Sequence, residues 1–269
     1  MKLTLGLIAS FLMSLLSCGA SVQEVTFKRA QPLGQKSSYE MKNNVRARPS
    51  PESAPMDLTM DAKIETEVTS AQPNGNWTLA TRLVSIDLKI NGESQPAEAM
   101  PLAGKAFSMV MDRDGKVVET TGTENLLPGV DFKQIATQMN PAALLPSRPV
   151  RVGETWPIET SDDIKLPGGA VHQTTKGNGT LRSVNGGQAL VDFDLDFAMS
   201  MVGGSDAITL SGSGKGKASM TYDLEKARAI TNKSDITMEV ALAEIMTGGR
   251  RHDTKSSVST SMQVDLIEK

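Results

Sequence analysis

Few side chains in this 269-residue chain have the type and spacing to carry acid–base, nucleophilic or metal chemistry. The two histidines, His172 and His252, are far apart and each is flanked by polar residues. A Ser-His-Asp relay needs an oriented imidazole beside an accessible nucleophile, and no Gly-x-Ser-x-Gly elbow is present to supply one. Both histidines are therefore expected to be exposed residues at strand edges. The single cysteine, Cys18, and two distant histidines cannot supply the three or four converging ligands of a zinc site. Asp192, Asp194 and Asp196 form a one-sided acidic stripe. Carboxylates two apart on a strand stand about 6.5–7 Å from each other and point the same way, so a solvated face is expected rather than a calcium cage. Asp112-Arg113-Asp114-Gly115 lacks the remaining ligands of a calcium loop and reads as a hairpin turn. Gly212-Ser213-Gly214-Lys215-Gly216-Lys217 fits no phosphate-loop spacing and, inside a β pattern, reads as a bulged or flexible strand. The expectation is a non-catalytic protein with no metal and no cofactor.

Methionine is the residue type that stands out, with 15 in the chain. Met56, Met60, Met199, Met201, Met238 and Met262 fall on the apolar faces of the strand patterns below, and Met109, Met111 and Met220 fall in hairpins. Flexible thioethers make an adaptable apolar wall suited to ligands without fixed shape, such as acyl chains. The same residues also serve as plain core filler in a chain with only 4% aromatics.

The elements that would position these residues begin after a leader. Lys2 is followed by an uncharged, largely apolar run from Leu3 to Ser17. At about 1.5 Å per residue that run is shorter than the ~30 Å hydrocarbon core, so it reads as an export signal over residues 1–17 and not as a membrane span. Leu15-Leu16-Ser17-Cys18 resembles the lipobox of bacterial lipoproteins, with Leu16 standing where a small or β-branched residue is usual. That resemblance implies diacylation (palmitate-type lipidation) of Cys18. The alternative is cleavage after Ala20, with Cys18 lost in the removed segment. A body without thiols supports lipid attachment at Cys18, which would hold the mature protein to a bilayer. Gly19 after the cysteine, rather than Asp, implies the outer membrane by the sorting rule of enteric bacteria.

The remainder of the chain is ordinary globular material: 39% hydrophobic, 22% charged, with a formal net charge of −3. Its Lys and Arg residues are scattered, which excludes the basic footprint of a nucleic-acid binder. So few aromatics leave base-stacking platforms and aromatic sugar clefts poorly supplied.

Residues 18–35 are polar, with Pro32 and Gly34, and read as a tether. Beyond them the hydrophobic period is two. Met56, Leu58, Met60, Ala62, Ile64, Thr66 and Val68 alternate with polar residues, and so do Val191, Phe193, Leu195, Phe197, Met199 and Met201. Shorter alternations run from Ile236 to Leu242 and from Val258 to Leu266. Between Trp77 and Ile90 the phase flips at Leu83/Val84, which predicts a β-bulge. Asn74-Gly75, Asn91-Gly92, Asp114-Gly115, Asn185-Gly186-Gly187 and Gly248-Gly249 supply turn chemistry between strands. A short helix is expected near Asp131–Met139 and a further turn through Leu145, before the Pro-rich stretch that ends at Pro149. These signals predict an all-β, antiparallel fold of long curved strands. A first β half would span 36–130, a helical linker 131–149 and a second β half 150–269. Whether the halves form two modules, a sandwich or one barrel-like body stays open at this point.

The halves also look alike. Ser108-Met109-Val110-Met111-Asp112 matches Ser219-Met220-Thr221-Tyr222-Asp223, each after a Gly-Lys pair, and Gly34-Gln35 opens the first half as Gly153-Glu154 opens the second. Together with Pro101-Leu102-Ala103-Gly104 and the hairpin Met111–Gly115, the chain resembles a family of bacterial lipoproteins of unknown function with a duplicated β-rich unit. That resemblance carries no activity over. Two functions are expected from the residues: a membrane-anchored envelope protein binding an apolar ligand or lipid in a Met-rich interior, or a structural or protein-interaction module of the envelope. A hydrolase is the outsider. Ligand-binding residues other than Cys18 as attachment site are not assigned.

Overall fold

The computed structural model describes residues 24–96, 103–123, 141–166, 169–202, 208–245 and 251–267. The protein is all-β and antiparallel. In chain order the strands are β1 (Glu24–Val25), β2 (Lys36–Arg48), β3 (Met56–Ala71), β4 (Trp77–Ile90), β5 (Glu93–Ser94), β6 (Ala106–Met111), β7 (Val117–Thr121), β8 (Val150–Arg151), β9 (Thr155–Leu166), β10 (Gly169–Asn185), β11 (Gln188–Val202), β12 (Ile208–Asp223), β13 (Arg228–Ile245) and β14 (Arg251–Ile267). A 3₁₀ turn covers Pro141–Leu144. The helix expected over Asp131–Met139, the turn glycines Gly248-Gly249, the leader and Cys18 lie outside the described residues.

Among the described residues, 12 strands form one sheet in the order β7-β6-β4-β3-β2-β14-β13-β12-β11-β10-β9, with β5 paired to β4. The halves therefore do not stand apart: β14 pairs with β2 from Ser257↔Arg48 to Ile267↔Ser38 and joins them. Tight turns set the registers. Asn91 and Gly92, both in the left-handed region (φ 51 and 84), close the β4–β5 hairpin in the manner of a type I′ turn. The bulge predicted in β4 is present, because Lys63 faces Ser85 while Ile64 faces Leu83, leaving Val84 as the extra residue.

The halves repeat the same local geometry. Gly34 (φ 77) donates its N–H to the Val68 carbonyl while Val68 N–H reaches Gln35, and Gly153 (φ 85) and Glu154 bracket Leu181 in the same way. The register shifts after Val68 in β3–β4 and after Leu181 in β10–β11. It shifts again at Val110/Met111 in β6–β7 and at Thr221/Tyr222 in β12–β13. The Asp112 carboxylate accepts from the N–H groups of Asp114 and Lys116, and that of Asp223 from those of Glu225 and Lys226. Because both halves run in the same direction along the sheet order, they are arranged head to tail, with β14 at the seam.

Most of the buried apolar side chains collect at one end of the strands, although Val171, paired with Met201 at the other end, is buried as well. One core cluster joins Trp156, Ile158, Leu181, Val191, Phe193, Met220 and Tyr222 with Val25, Phe27, Leu145 and Val150; a second joins Val68, Trp77, Leu79, Met111 and Val117. Phe27 packs against Trp156 and edge-on to Tyr222, at centroid distances of 6.2 and 5.8 Å. The tether expected over 18–35 thus gives way to core by Val25 and Phe27, which are 4% and 5% exposed. Burying side chains of this kind contributes about 1.5–3 kcal/mol each. Arg29 bonds the Asp114 carbonyl in the β6–β7 turn at 2.9 Å and also the Leu145 carbonyl just after the 3₁₀ turn, so one side chain ties these two segments together.

Candidate functional site

The apolar face of the sheet changes character along each strand. On β11, Ala189, Val191 and Phe193 are buried, whereas Leu195, Phe197, Met199 and Met201, the next four on the same face, are only half-buried. On β13 the buried Asn232 is followed by half-buried Ile236, Met238, Val240 and Leu242. Register places Met238 opposite Val258, and Met262 opposite Asn43, whose other neighbour is Met60. Met56 is exposed. The six methionines assigned to apolar faces therefore collect on the open half of the sheet, while Met111 and Met220 are buried at its closed end.

A glycine row beside this region allows its large side chains to lie down. Gly212, Gly214 and Gly216 in β12 pair with Met199, Phe197 and Leu195 on one side and with Val240, Met238 and Ile236 on the other. A Cβ at Gly214 would stand 2.6 Å from Met238 Cγ, and one at Gly216 would stand 2.8 Å from Phe197 Cε2. Pairing through these residues is regular on both sides, so the segment expected to be bulged or flexible is an ordinary strand. The irregularity of β12 lies further on, at Thr221/Tyr222. Alternating glycines lose side-chain packing of their own but admit neighbours over the backbone, which is what this row does.

At the closed end a cavity of about 780 Å³ is lined by Lys36, Arg82, Lys226, Arg228, Ser37 and Thr81 among others, with Glu65 and Glu67 on its wall. Arg228 is 7% exposed. Its Nη1 donates to the Ser37 hydroxyl at 2.8 Å and to the Lys36 carbonyl at 3.3 Å, while its Nε has no partner among the described residues. The Ser38 and Thr81 hydroxyls also lack partners among the described residues. Burial raises the Tyr39 phenol above its ordinary range, against the opposing effects of a Ser37 hydrogen bond and the Arg228 charge. None of this was legible in the sequence, where Arg228 is one of 28 scattered cations.

His172 departs from expectation. It lies in β10, which is paired on both sides, and not at an edge. Its Nδ1 is 2.6 Å from the Asp163 carboxylate and its Nε2 is 3.2 Å from the Ser161 hydroxyl. The wiring is that of a proton relay, and it follows from register: His172 faces Asp163 across the β9–β10 ladder, and Ser161 lies two residues before Asp163 on the same side. The setting is open, with 40% of the His172 and 63% of the Asp163 side chain exposed. The side chain of His252 lies outside the described residues.

The acidic stripe is neutralised across strands as a solvated face would be. Asp192 pairs with Arg182 at 2.7 Å, Asp194 with Lys217 at 3.8 Å and Asp196 with Lys215 at 3.9 Å. No group of three or more His, Cys, Asp or Glu side chains converges on a metal position among the described residues.

No family model matches the chain, and no curated protein matches it. Two solved structures align over most of its length. Rv2717c from M. tuberculosis is 14% identical, with 84% of this chain and 90% of that one covered, at a TM-score of 0.18. OccAB3 of Acinetobacter baumannii is 7% identical, with 87% of this chain and 100% of that one covered, at a TM-score of 0.17. Likeness at this level carries no argument about this chain's fold or activity.

Proposed function

We propose that this is a membrane-anchored envelope lipoprotein, acylated at Cys18, which binds an apolar ligand along the Met-rich half of its curved sheet. The observation that carries the reading is the burial gradient on β11, from fully buried Val191 to half-buried Met199 and Met201 on one face. A face that stays apolar where the core no longer covers it offers surface that a lipid chain would bury, at about 25 cal/mol per Å² removed from water. Methionine there lets the wall adapt to a chain of no fixed shape.

Protein prepared with Cys18 replaced by Ser and purified without detergent is expected to carry lipid detectable by mass spectrometry and to bind fluorescent fatty-acid probes. The double substitution Met199→Asp/Met238→Asp should weaken probe binding about 10-fold or more, because each places a charge where apolar contact is needed. Protein that is empty and fails to bind the probes overturns the reading. For the anchor, Cys18→Ser is expected to move the protein from the membrane to the soluble fraction; unchanged partition overturns attachment at Cys18.

A further inference from the structure

We infer that the cavity at Arg228 is an oxyanion site, taking a carboxylate or a phosphate group. A guanidinium removed from water needs a counter-charge or full hydrogen bonding, and among the described residues no carboxylate lies within ion-pair distance of Arg228. Two neutral oxygens hold one end of it, at the Lys36 carbonyl and the Ser37 hydroxyl, and Nε has no partner among the described residues. The lining brings four cations, Lys36, Arg82, Lys226 and Arg228, against the carboxylates of Glu65 and Glu67, and Glu67 is already paired with Lys36 at 3.4 Å. The Thr81 hydroxyl, without a partner among the described residues, stands on the face of Ser37, to which register links it through Thr66, whereas Ser38, the next residue along β2, turns its side chain to the other face. Oxyanions are the ligands that satisfy guanidinium and hydroxyl donors together.

The source of the oxyanion follows from position, and this step rests on the proposed function above. Ser37, which accepts from Arg228, alternates along β2 with Tyr39, Met41, Asn43 and Val45 on one face, and Asn43 is the neighbour of both Met60 and Met262. That face meets Ile64, Ala62 and Leu58 of β3 and Leu266, Val264 and Thr260 of β14, and leads strand by strand into the half-buried methionine region. An amphiphile with a single anionic head fits this order, head at Arg228 and chain toward Met60 and Met262.

Titration calorimetry on the full mature chain with decanoate, 1-decanol and inorganic phosphate separates the possibilities. Decanoate is expected to bind about 10-fold more tightly than 1-decanol, the margin of a charge-assisted hydrogen-bonded pair, and Arg228→Gln should abolish that margin while Arg228→Lys retains part of it. Thr81→Val, which leaves the Arg228 contacts in place, should lower decanoate affinity without changing that of 1-decanol, and serves if Arg228→Gln does not fold. Equal affinities for decanoate and 1-decanol, with no binding of phosphate, overturn the oxyanion site and leave the apolar reading intact. Phosphate that binds through Arg228 as tightly as decanoate, with 1-decanol not binding, keeps the oxyanion site and overturns the head-group source together with the apolar reading. Binding of none of the three overturns both.

Discussion

At the scale of single residues, hydrogen bonding and burial decide which polar groups matter. The Tyr222 hydroxyl donates to the Lys28 carbonyl at 2.6 Å, and burial, outweighing the nearby Arg29 charge, pushes its ionisation well above the ordinary tyrosine range. A group whose proton is held more tightly when folded contributes stability that is complete below its unfolded pKa of about 10 and declines as pH rises past it. Thermal melts between pH 8 and about pH 11 are therefore expected to fall in the wild type and to fall less in Tyr222→Phe. At neutral pH the same substitution should cost about 1 kcal/mol for the lost hydrogen bond. An equal alkaline decline in both proteins would contradict this. The Ser161–His172–Asp163 contact leads to a different expectation. Its imidazole is open to water, and a relay gains rate chiefly from oriented groups in a water-excluded site. Hydrolysis of p-nitrophenyl acetate should therefore be no faster than free imidazole supports and should not change in Ser161→Ala. A rate reduced 100-fold or more by that substitution would establish a serine hydrolase, at the usual size of a nucleophile's contribution.

At the scale of elements, the fold was legible wherever one face of a strand is apolar and the other polar. Met56–Val68, Val191–Met201 and Val258–Leu266 each fall inside an observed strand, and the Leu83/Val84 phase flip marks the bulge in β4. β10 gave no such signal. Its core-facing positions include Gln173, Thr175, Gly177 and Gly179, a series without hydrophobic alternation. Those glycines are explained by their neighbours: a Cβ at Gly179 would stand 2.4 Å from the Trp156 ring. Gly179→Ala is accordingly expected to destabilise by about 1–3 kcal/mol through overpacking and to shift the Trp fluorescence, with denaturant titration as the check. The candidate site was half legible. Its methionines could be placed on faces from their spacing, but Arg228 acquires its role from a contact with Ser37, 191 positions away in sequence, which no local pattern records. The Ser161–His172 contact was missed for a related reason, since it depends on the register of β9 against β10, and the sequence that joins them, Leu166-Pro167-Gly168-Gly169, holds no Asn-Gly pair.

At the scale of the molecule, one sheet supplies both a closed, packed end and an open, half-covered one. The N-terminal segment from Glu24 to Arg29 closes the packed end, pairing β1 with β8 and carrying Phe27 into the core. Removing residues up to Arg29 should therefore lower stability by several kcal/mol, since Phe→Ala changes in cores alone cost about 3–5 kcal/mol. A truncated protein with unchanged denaturation midpoint would argue against a structural role for this segment. The open end predicts the opposite sensitivity. Met199→Ala, at a half-buried position, should cost clearly less than the 2–5 kcal/mol typical of a buried methionine, a contrast that Met220→Ala at the closed end makes measurable.

The seam at β14 also sets the order in which the fold can be completed. Ser256 bonds the Pro49 carbonyl across 207 positions of sequence, and β2 has no partner on its β14 side until that distant strand has been synthesised. Every strand of the first half can meet its hairpin neighbours early, yet the half remains a sheet with an unsatisfied edge for as long as the second half is being made. Closure across so long a loop is slow because the entropy of joining the ends is lost before the contacts form. The consequence is temporal: through most of its synthesis this chain carries a sticky, strand-ready border at β2, and its refolding rate should be governed by the docking of β14, not by any of the hairpins that form so readily around it.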